Sequence, residues 1–345
     1  MSDLFTNIPG SKRHISIAVQ AGLVPFLTGS PGVGKSAVAI AIAEEYNLLL
    51  IDIRLAQCDP TDLLGFPSVN QSTQKSQYIP FDTFPIEGDE LPEGKSGWLI
   101  FLDEFNSADR GVQKAAYKLL NEKMVGQKYL HKKVAMMAAG NLDTDNAIVE
   151  EMSTALGSRL IHIKVNSDPV AWLDWAYGAG IDHRITSMIE FKPALLNTFN
   201  PNSETGEKTY ACERTWHFVS RSLPFMDLAN QPESLVYLAG TIGEGPAREF
   251  LSFLKVHADL PKFSEIVDSP MTTLVPHEPS HLYALSGSLG ANATEATMEP
   301  VVQYIQRLNS EYQVMVLRGI KRKDSSLLDT PPFRKWLQTQ TNVIF

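Results

Sequence analysis

Cysteine is scarce: two in 345 residues, Cys58 and Cys212, with no CxxC spacing. Neither a disulfide framework nor a thiolate zinc site is suggested, which fits a reducing, cytoplasmic setting. Uninterrupted apolar runs of the roughly 18 residues needed to span a bilayer are missing, and the N-terminal MSDLFTNIPGSKRH has no apolar signal core, so a membrane location is not expected. An excess of basic charge is also missing. Lys and Arg number 30 against 39 Asp and Glu, a net charge of −9, so no global field draws the chain to nucleic acid or anionic lipid. The one dense basic cluster, Arg318, Lys321, Arg322 and Lys323, reads as a solvated loop or helix end. No repeat or low-complexity segment is present. With 43% hydrophobic residues the chain can bury a large core, and its length favours two or three domains.

Against these absences one stretch stands out. GSPGVGKS, residues 29–36, matches GxxxxGK[ST] without a gap, after an apolar run and before an Ala-rich helical pattern. Strand, glycine loop and helix in that order turn backbone N–H groups inward around phosphate oxygens, and the helix start adds its positive dipole end. Lys35 would reach the β- and γ-phosphates and Ser36 would ligate Mg²⁺. The loop is expected to bind a nucleoside triphosphate.

Five short apolar runs, residues 23–28, 48–55, 98–103, 134–140 and 160–165, alternate with helical patterns, which predicts a five-stranded parallel sheet with helices on both faces, an α/β class. Residues 56–97 are too long for a plain connection and predict a short helix plus a functional loop or hairpin. After residue 165 the strand signal stops. Asp168-Pro169 is a helix start, with Trp172, Trp175 and Ala176 on one side and Gly178 and Gly180 ending it. The expected division is an α/β nucleotide-binding domain at 1–165, with residues 56–97 as an insert, a helical domain at 166–265, and a C-terminal helical extension at 266–345 with a helix near 297–308.

The third run delivers Asp103 and Glu104 at its carboxyl end, where ligands of open α/β sheets sit. Asp103 would hold Mg²⁺, and Glu104, facing the other way on an extended chain, would polarise a water for in-line attack on the γ-phosphate. The fourth run ends in Asn141, whose amide can bond that water or the γ-phosphate. Asp145 or Asn146 can cap a helix that Gly157 ends, and Arg159 directly precedes the fifth run.

Gly29 to Ser36, Asp103-Glu104, Asn141, Arg159 and Arg214, in this order and at these distances, resemble Walker A, Walker B, sensor 1, arginine finger and sensor 2 of an AAA+ ATPase. DPTDLLGFPSV, LDEFNSADRGVQKAAYKLLNEK and ERTWHFVS resemble more narrowly the MoxR branch, over roughly residues 10 to 260. The resemblance implies a P-loop NTPase domain followed by a helical lid, and a ring, usually hexameric, with ATP between subunits. The nucleotide would be held by Gly29, Ser30, Pro31, Gly32, Val33, Gly34, Lys35, Ser36 and Ala37 with Asp103 and Arg214, and Mg²⁺ by Ser36 and Asp103. Catalysis would rest on Glu104, Asn141 and Arg159, the last reaching the neighbouring subunit's γ-phosphate, with Arg110 as a rival. Arg214 departs from the family's usual Pro-Arg, since Glu213 precedes it. The insert would face the ring's pore or upper surface, with Phe66, Tyr78, Phe81 and Phe84 either gripping a substrate chain or packing on their own domain.

HEPSH, residues 277–281, matches the zinc-protease pattern HExxH, but Pro276 and Pro279 oppose the continuous helix that zinc chemistry needs; a loop with Ser280 capping the next helix is expected. The composite expectation is a cytoplasmic, Mg²⁺-dependent MoxR-type ATPase, bacterial or phage-encoded, with a chaperone-like action on a protein partner; the resemblance names proteins with von Willebrand factor A domains as one class of such partner. Two alternatives stand beside it: a nucleic-acid motor or loader, and a scaffold that assembles on ATP with little turnover.

Overall fold

The strands follow the apolar runs, with one addition at the sheet's edge. In the computed structural model, which describes residues 4–145, 152–202 and 208–339, the strands are β1 (Phe5–Thr6), β2 (Val24–Gly29), β3 (Leu48–Arg54), β4 (Phe66–Asn70), β5 (Lys75–Ile79), β6 (Gly97–Asp103), β7 (Met124–Val125), β8 (Lys128–Tyr129), β9 (Val134–Gly140) and β10 (Leu160–Val165). Six of them form one parallel sheet in the order β1-β10-β2-β9-β6-β3. The sheet is thus six-stranded and not five. Strand β1 has two residues, too few to show a period of 2, and is held because it pairs with Lys164 and Val165 at the edge.

The first unit's helices are α1 (Ile8–Gln20), α2 (Lys35–Glu45), α3 (Pro60–Leu64), α4 (Arg110–Glu122) and α5 (Thr154–Gly157). Both faces of the sheet are buried, which is why its strands read as continuous apolar runs. Along β6, Leu99 and Phe101 pack with Ile15, Val38 and Ile42 of α1 and α2. Ile100 and Leu102 turn to the opposite face, against Val112, Ala116 and Leu119 of α4. Residues 112, 115, 116, 119 and 120 make the buried stripe of α4 at helical spacing.

The expected insert contains both a helix and a hairpin. Asp59 caps α3, its carboxylate accepting the Thr61 amide at 2.7 Å, and β4 and β5 pair antiparallel behind it. Of the four aromatics, Phe66, Tyr78 and Phe81 are exposed, whereas Phe84 is 4% exposed and belongs to the core under the sheet.

The main division of the chain falls between Ser167 and Asp168. The second unit is helical: α6 (Pro169–Gly178), α7 (His183–Phe191), α8 (Glu213–Ser222), α9 (Gln231–Ile242), α10 (Glu244–Ala258), α11 (Phe263–Asp268), α12 (Pro279–Asn292), α13 (Met298–Ile305), α14 (Ser310–Lys323) and α15 (Pro331–Thr339). Asp168 caps α6 as its sequence predicts, accepting the amides of Val170 and Ala171. Trp172 and Ala176 are buried there, but Trp175 is 48% exposed. Two apolar clusters fill the unit, one around Trp216 and Phe250 and one around Tyr304, Val316 and Trp336.

The basic cluster is not a plain solvated end. Arg322 bonds Asp174 at 2.6 Å and Glu190 at 3.0 Å, joining α6, α7 and α14. Lys323 donates to the carbonyls of Ala291 and Ala293, where its charge also suits the end of α12. Helix α12 begins at Pro279, with Glu278 and not Ser280 at the cap position. His277 therefore lies outside the helix that carries His281.

Candidate nucleotide site

Two left-handed residues, Gly32 (φ 84°) and Gly34 (φ 104°), wind the loop between β2 and α2. Side chains other than glycine are strained at such angles, so the motif's glycines are a backbone requirement. Gly34 is the N-cap of α2, so Lys35 and Ser36 sit in its first turn. Lys35 Nζ donates to the carbonyl oxygens of Gly29 at 2.6 Å and Ser30 at 3.2 Å. It also donates to Asn141 Oδ1 at 3.2 Å, at the end of β9, 106 residues away in sequence.

Asp103 closes β6 two strands from the loop in the sheet order. The Ser36 hydroxyl donates to Asp103 Oδ2 at 3.0 Å. A hydroxyl and a carboxylate side by side are a hard oxygen donor pair of the kind Mg²⁺ takes. Glu104 is not extended. Its backbone is left-handed at φ 55°, ψ 35°, and its amide turns back onto Asp103 Oδ1 at 2.8 Å. The strand ends at Asp103, so the two carboxylates are separated by a turn and not by strand alternation.

Three further polar residues belong to the site without having been expected in these roles. Asn106 is buried, and its amide donates to the Asn141 carbonyl at 2.8 Å while its Oδ1 accepts the Asn141 amide at 3.1 Å. Asp145 caps no described helix. It accepts the Leu142 amide and the Ser30 hydroxyl, each at 3.3 Å, tying the loop after β9 to the glycine loop. Burial pushes its carboxyl up, offset by the Leu142 amide, the Ser30 hydroxyl and the charge of Lys35. Asp52, beside the site on β3, is raised first by partial desolvation and then by repulsion from Asp103, with Arg54 opposing. No sequence pattern marks Asn106; Asp145 carried a signal, but as a cap. The alternative cap Asn146 lies outside the described residues, and the described helix α5 is capped by Ser153.

Arg159, exposed at the start of β10, is oriented from below. Its Nε donates to Asn121 Oδ1 at 2.7 Å, an Nη to the Ala155 carbonyl at 2.5 Å, and its guanidinium lies 4.8 Å from the Tyr117 ring centre. Tyr117 also lines an open groove of about 530 Å³ with Arg110, Lys114, Ser153 and Thr154. Both candidate arginines therefore stand around one face of α4 and α5. Arg214 is exposed in the first turn of α8, in the second unit.

Residues 25–160, from β2 to the start of β10, match the family model of the AAA domain, dynein-related subfamily. This part of the chain is similar to AAA domains. Its loop, Asp103 and Asn141 give it the geometry of an ATPase-type P-loop site. Over 100 residues, 28% of this chain, it is 37% identical to Midasin of Giardia intestinalis, and the match spans 2% of Midasin's length. Among solved structures, a candidate ATPase from Cytophaga hutchinsonii is 13% identical, covers 99% of this chain and 91% of its own, and superposes with a TM-score of 0.38. A mutant of RuvB from Thermotoga maritima is 15% identical over 84% of either chain, with a TM-score of 0.42. Likeness at this level carries no functional argument. Among the described residues no helix is long and apolar enough to cross a membrane, and no cluster of three or more His, Cys, Asp or Glu side chains is poised to hold a metal.

Proposed function

We propose that the chain hydrolyses ATP in a ring of its own copies and uses the cycle to remodel or activate a protein partner, in the manner of MoxR-type ATPases. The observation that carries the hydrolytic part is the meeting of groups from three chain segments at the glycine loop. Lys35 reaches Asn141 and Ser36 reaches Asp103, although these residues are far apart in sequence.

Ser36 and Asp103 would hold Mg²⁺, which when bound neutralises charge on the triphosphate. The loop amides and Lys35 hold the β- and γ-phosphates. Glu104 takes the proton of the attacking water, and Asn141 orients that water or the γ-phosphate. Arg159 reaches the γ-phosphate bound by the next copy, and its contacts with Asn121 and Tyr117 support that role because the guanidinium is aimed before the neighbour arrives. Arg214 reports nucleotide from the helical unit. The exposed Phe66, Tyr78 and Phe81 of the insert offer apolar contact to a substrate chain. A partner with a von Willebrand factor A domain fits this class of ATPase, as do hexameric assembly and a cytoplasmic location.

Phosphate release from ATP, followed against protein concentration with mass measured in parallel, tests the proposal. Turnover per subunit should climb as oligomers form, and Glu104→Gln should bind ATP yet turn over about 100-fold or more slowly. A wild type no faster than Glu104→Gln would remove the hydrolase reading and leave an ATP-gated scaffold.

A further inference from the structure

The strand ladders stop short of Asn141. Strand β9 pairs with β6 only as far as Ala138, and with β2 as far as Gly140. Beyond that point the peptide group of Asn141 needs partners from elsewhere, because a buried N–H or C=O left unpaired is costly. Asn106 supplies both, one amide face meeting the N–H and the C=O of a single residue. Asn106 is only 4% exposed. Gly140 shows how closely this contact is fitted. A Cβ on Gly140 would land on Asn106 Oδ1, and its backbone is not left-handed, so the glycine is required by the amide and not by its own φ.

Asn106 stands two residues after Glu104, in a 3₁₀ turn closed by the Ser107 amide on the Glu104 carbonyl at 3.0 Å. The turn that carries Glu104 therefore also carries the group that holds Asn141. We propose that Asn106 is a positioning residue that sets Asn141 in register with Glu104, so that the water-orienting amide and the proton acceptor move as one body. This rests on the hydrolytic reading above and adds a determinant of its rate. Asn106 touches no substrate; it acts through Asn141.

The test is steady-state ATPase kinetics of the full chain carrying Asn106→Ala, Asn106→Asp, Gly140→Ala or Asn141→Ala, together with the double variant Asn106→Ala/Asn141→Ala. Asn106→Asp keeps the size and the acceptor but loses the donor. Because displacement of a catalytic group by about 1 Å can cost about 100-fold, kcat should fall about 10- to 100-fold in each Asn106 variant and in Gly140→Ala, with KM within about threefold. In the double variant, Asn106→Ala should slow Asn141→Ala by less than about twofold, since the two act as a unit. A structural role alone would lower the melting temperature and leave kcat per folded molecule unchanged; that outcome, or fully multiplicative losses in the double variant, would overturn the proposal. An active wild type with active variants sinks only this inference. An inactive wild type sinks the hydrolase reading and the proposal together, whereas exchange of the Asn141 amide, faster in Asn106→Ala, still reports whether the clamp exists.

Discussion

The two units employ charge in opposite ways. In the helical unit, Arg322 lies 17% exposed between Glu190 at 12% and Asp174, and Tyr177 completes the group. Burial pushes the Glu190 carboxyl up, while Arg322 and the Tyr177 hydroxyl pull it back. Each charge there answers another. In the first unit, Lys35 bonds the carbonyl oxygens of Gly29 and Ser30 and the Asn141 amide oxygen, and its charge also acts on the Asp145 carboxyl, while Asp103 ends β6 with Glu104 in the turn after it. A closed network holds helices together. The groups around the glycine loop converge from three chain segments, an arrangement that the proposed triphosphate and its divalent cation would complete.

The strongest way to test that contrast is to remove Lys35. Lys35→Ala should abolish ATP binding in a fluorescent-nucleotide titration, because a phosphate-facing charge is lost, while the fold keeps its sheet; retained affinity would mean that Lys35 is structural, like Arg322. Next comes Arg159→Ala, expected to lower turnover about 1000-fold with nucleotide affinity kept, since a trans arginine acts in the transition state. If Arg110→Ala lost turnover instead, the groove's other arginine would be the finger.

In the helical unit the largest expected effect is on stability. Glu190→Ala leaves Arg322 with one exposed partner and should cost about 2–3 kcal/mol in urea unfolding, with no change in nucleotide affinity. The smallest expected effect concerns pH. His257 packs against His183 and Phe253, with Asp182 and Arg184 nearby, and burial lowers its pKa to about 3, with the charges of His183 and Arg184 adding to this and Asp182 opposing. The folded state thus binds this proton less readily than the unfolded chain. Stability is present above pH 6.5 and declines as pH falls from there towards 3. Replacing His257→Phe should flatten the fall of melting temperature between pH 7 and 5; an identical acid limb would show that other groups carry it.

Legibility followed range along the chain. The glycine loop, the Asp103-Glu104 pair, five of the six sheet strands and the Asp168 cap are local patterns, and local patterns are written in consecutive residues. Arg322 was misread for the converse reason, and Phe84 was left between two readings. An aromatic in a polar loop and an arginine in a basic run look solvated until the fold closes over them, as the core beneath the sheet does for Phe84 and as Glu190 does for Arg322.

By itself, then, the sequence determined that a strand, a phosphate loop and a helix follow one another, and that two carboxylates end a buried strand, because hydrophobic period and glycine conformational freedom act over a few residues. The order in which the strands lie, the left-handed turn at Glu104, and the clasp of Asn106 on Asn141 were decided by tertiary structure. They depend on which backbone groups remain unpaired once the ladders end, and only the assembled sheet defines those.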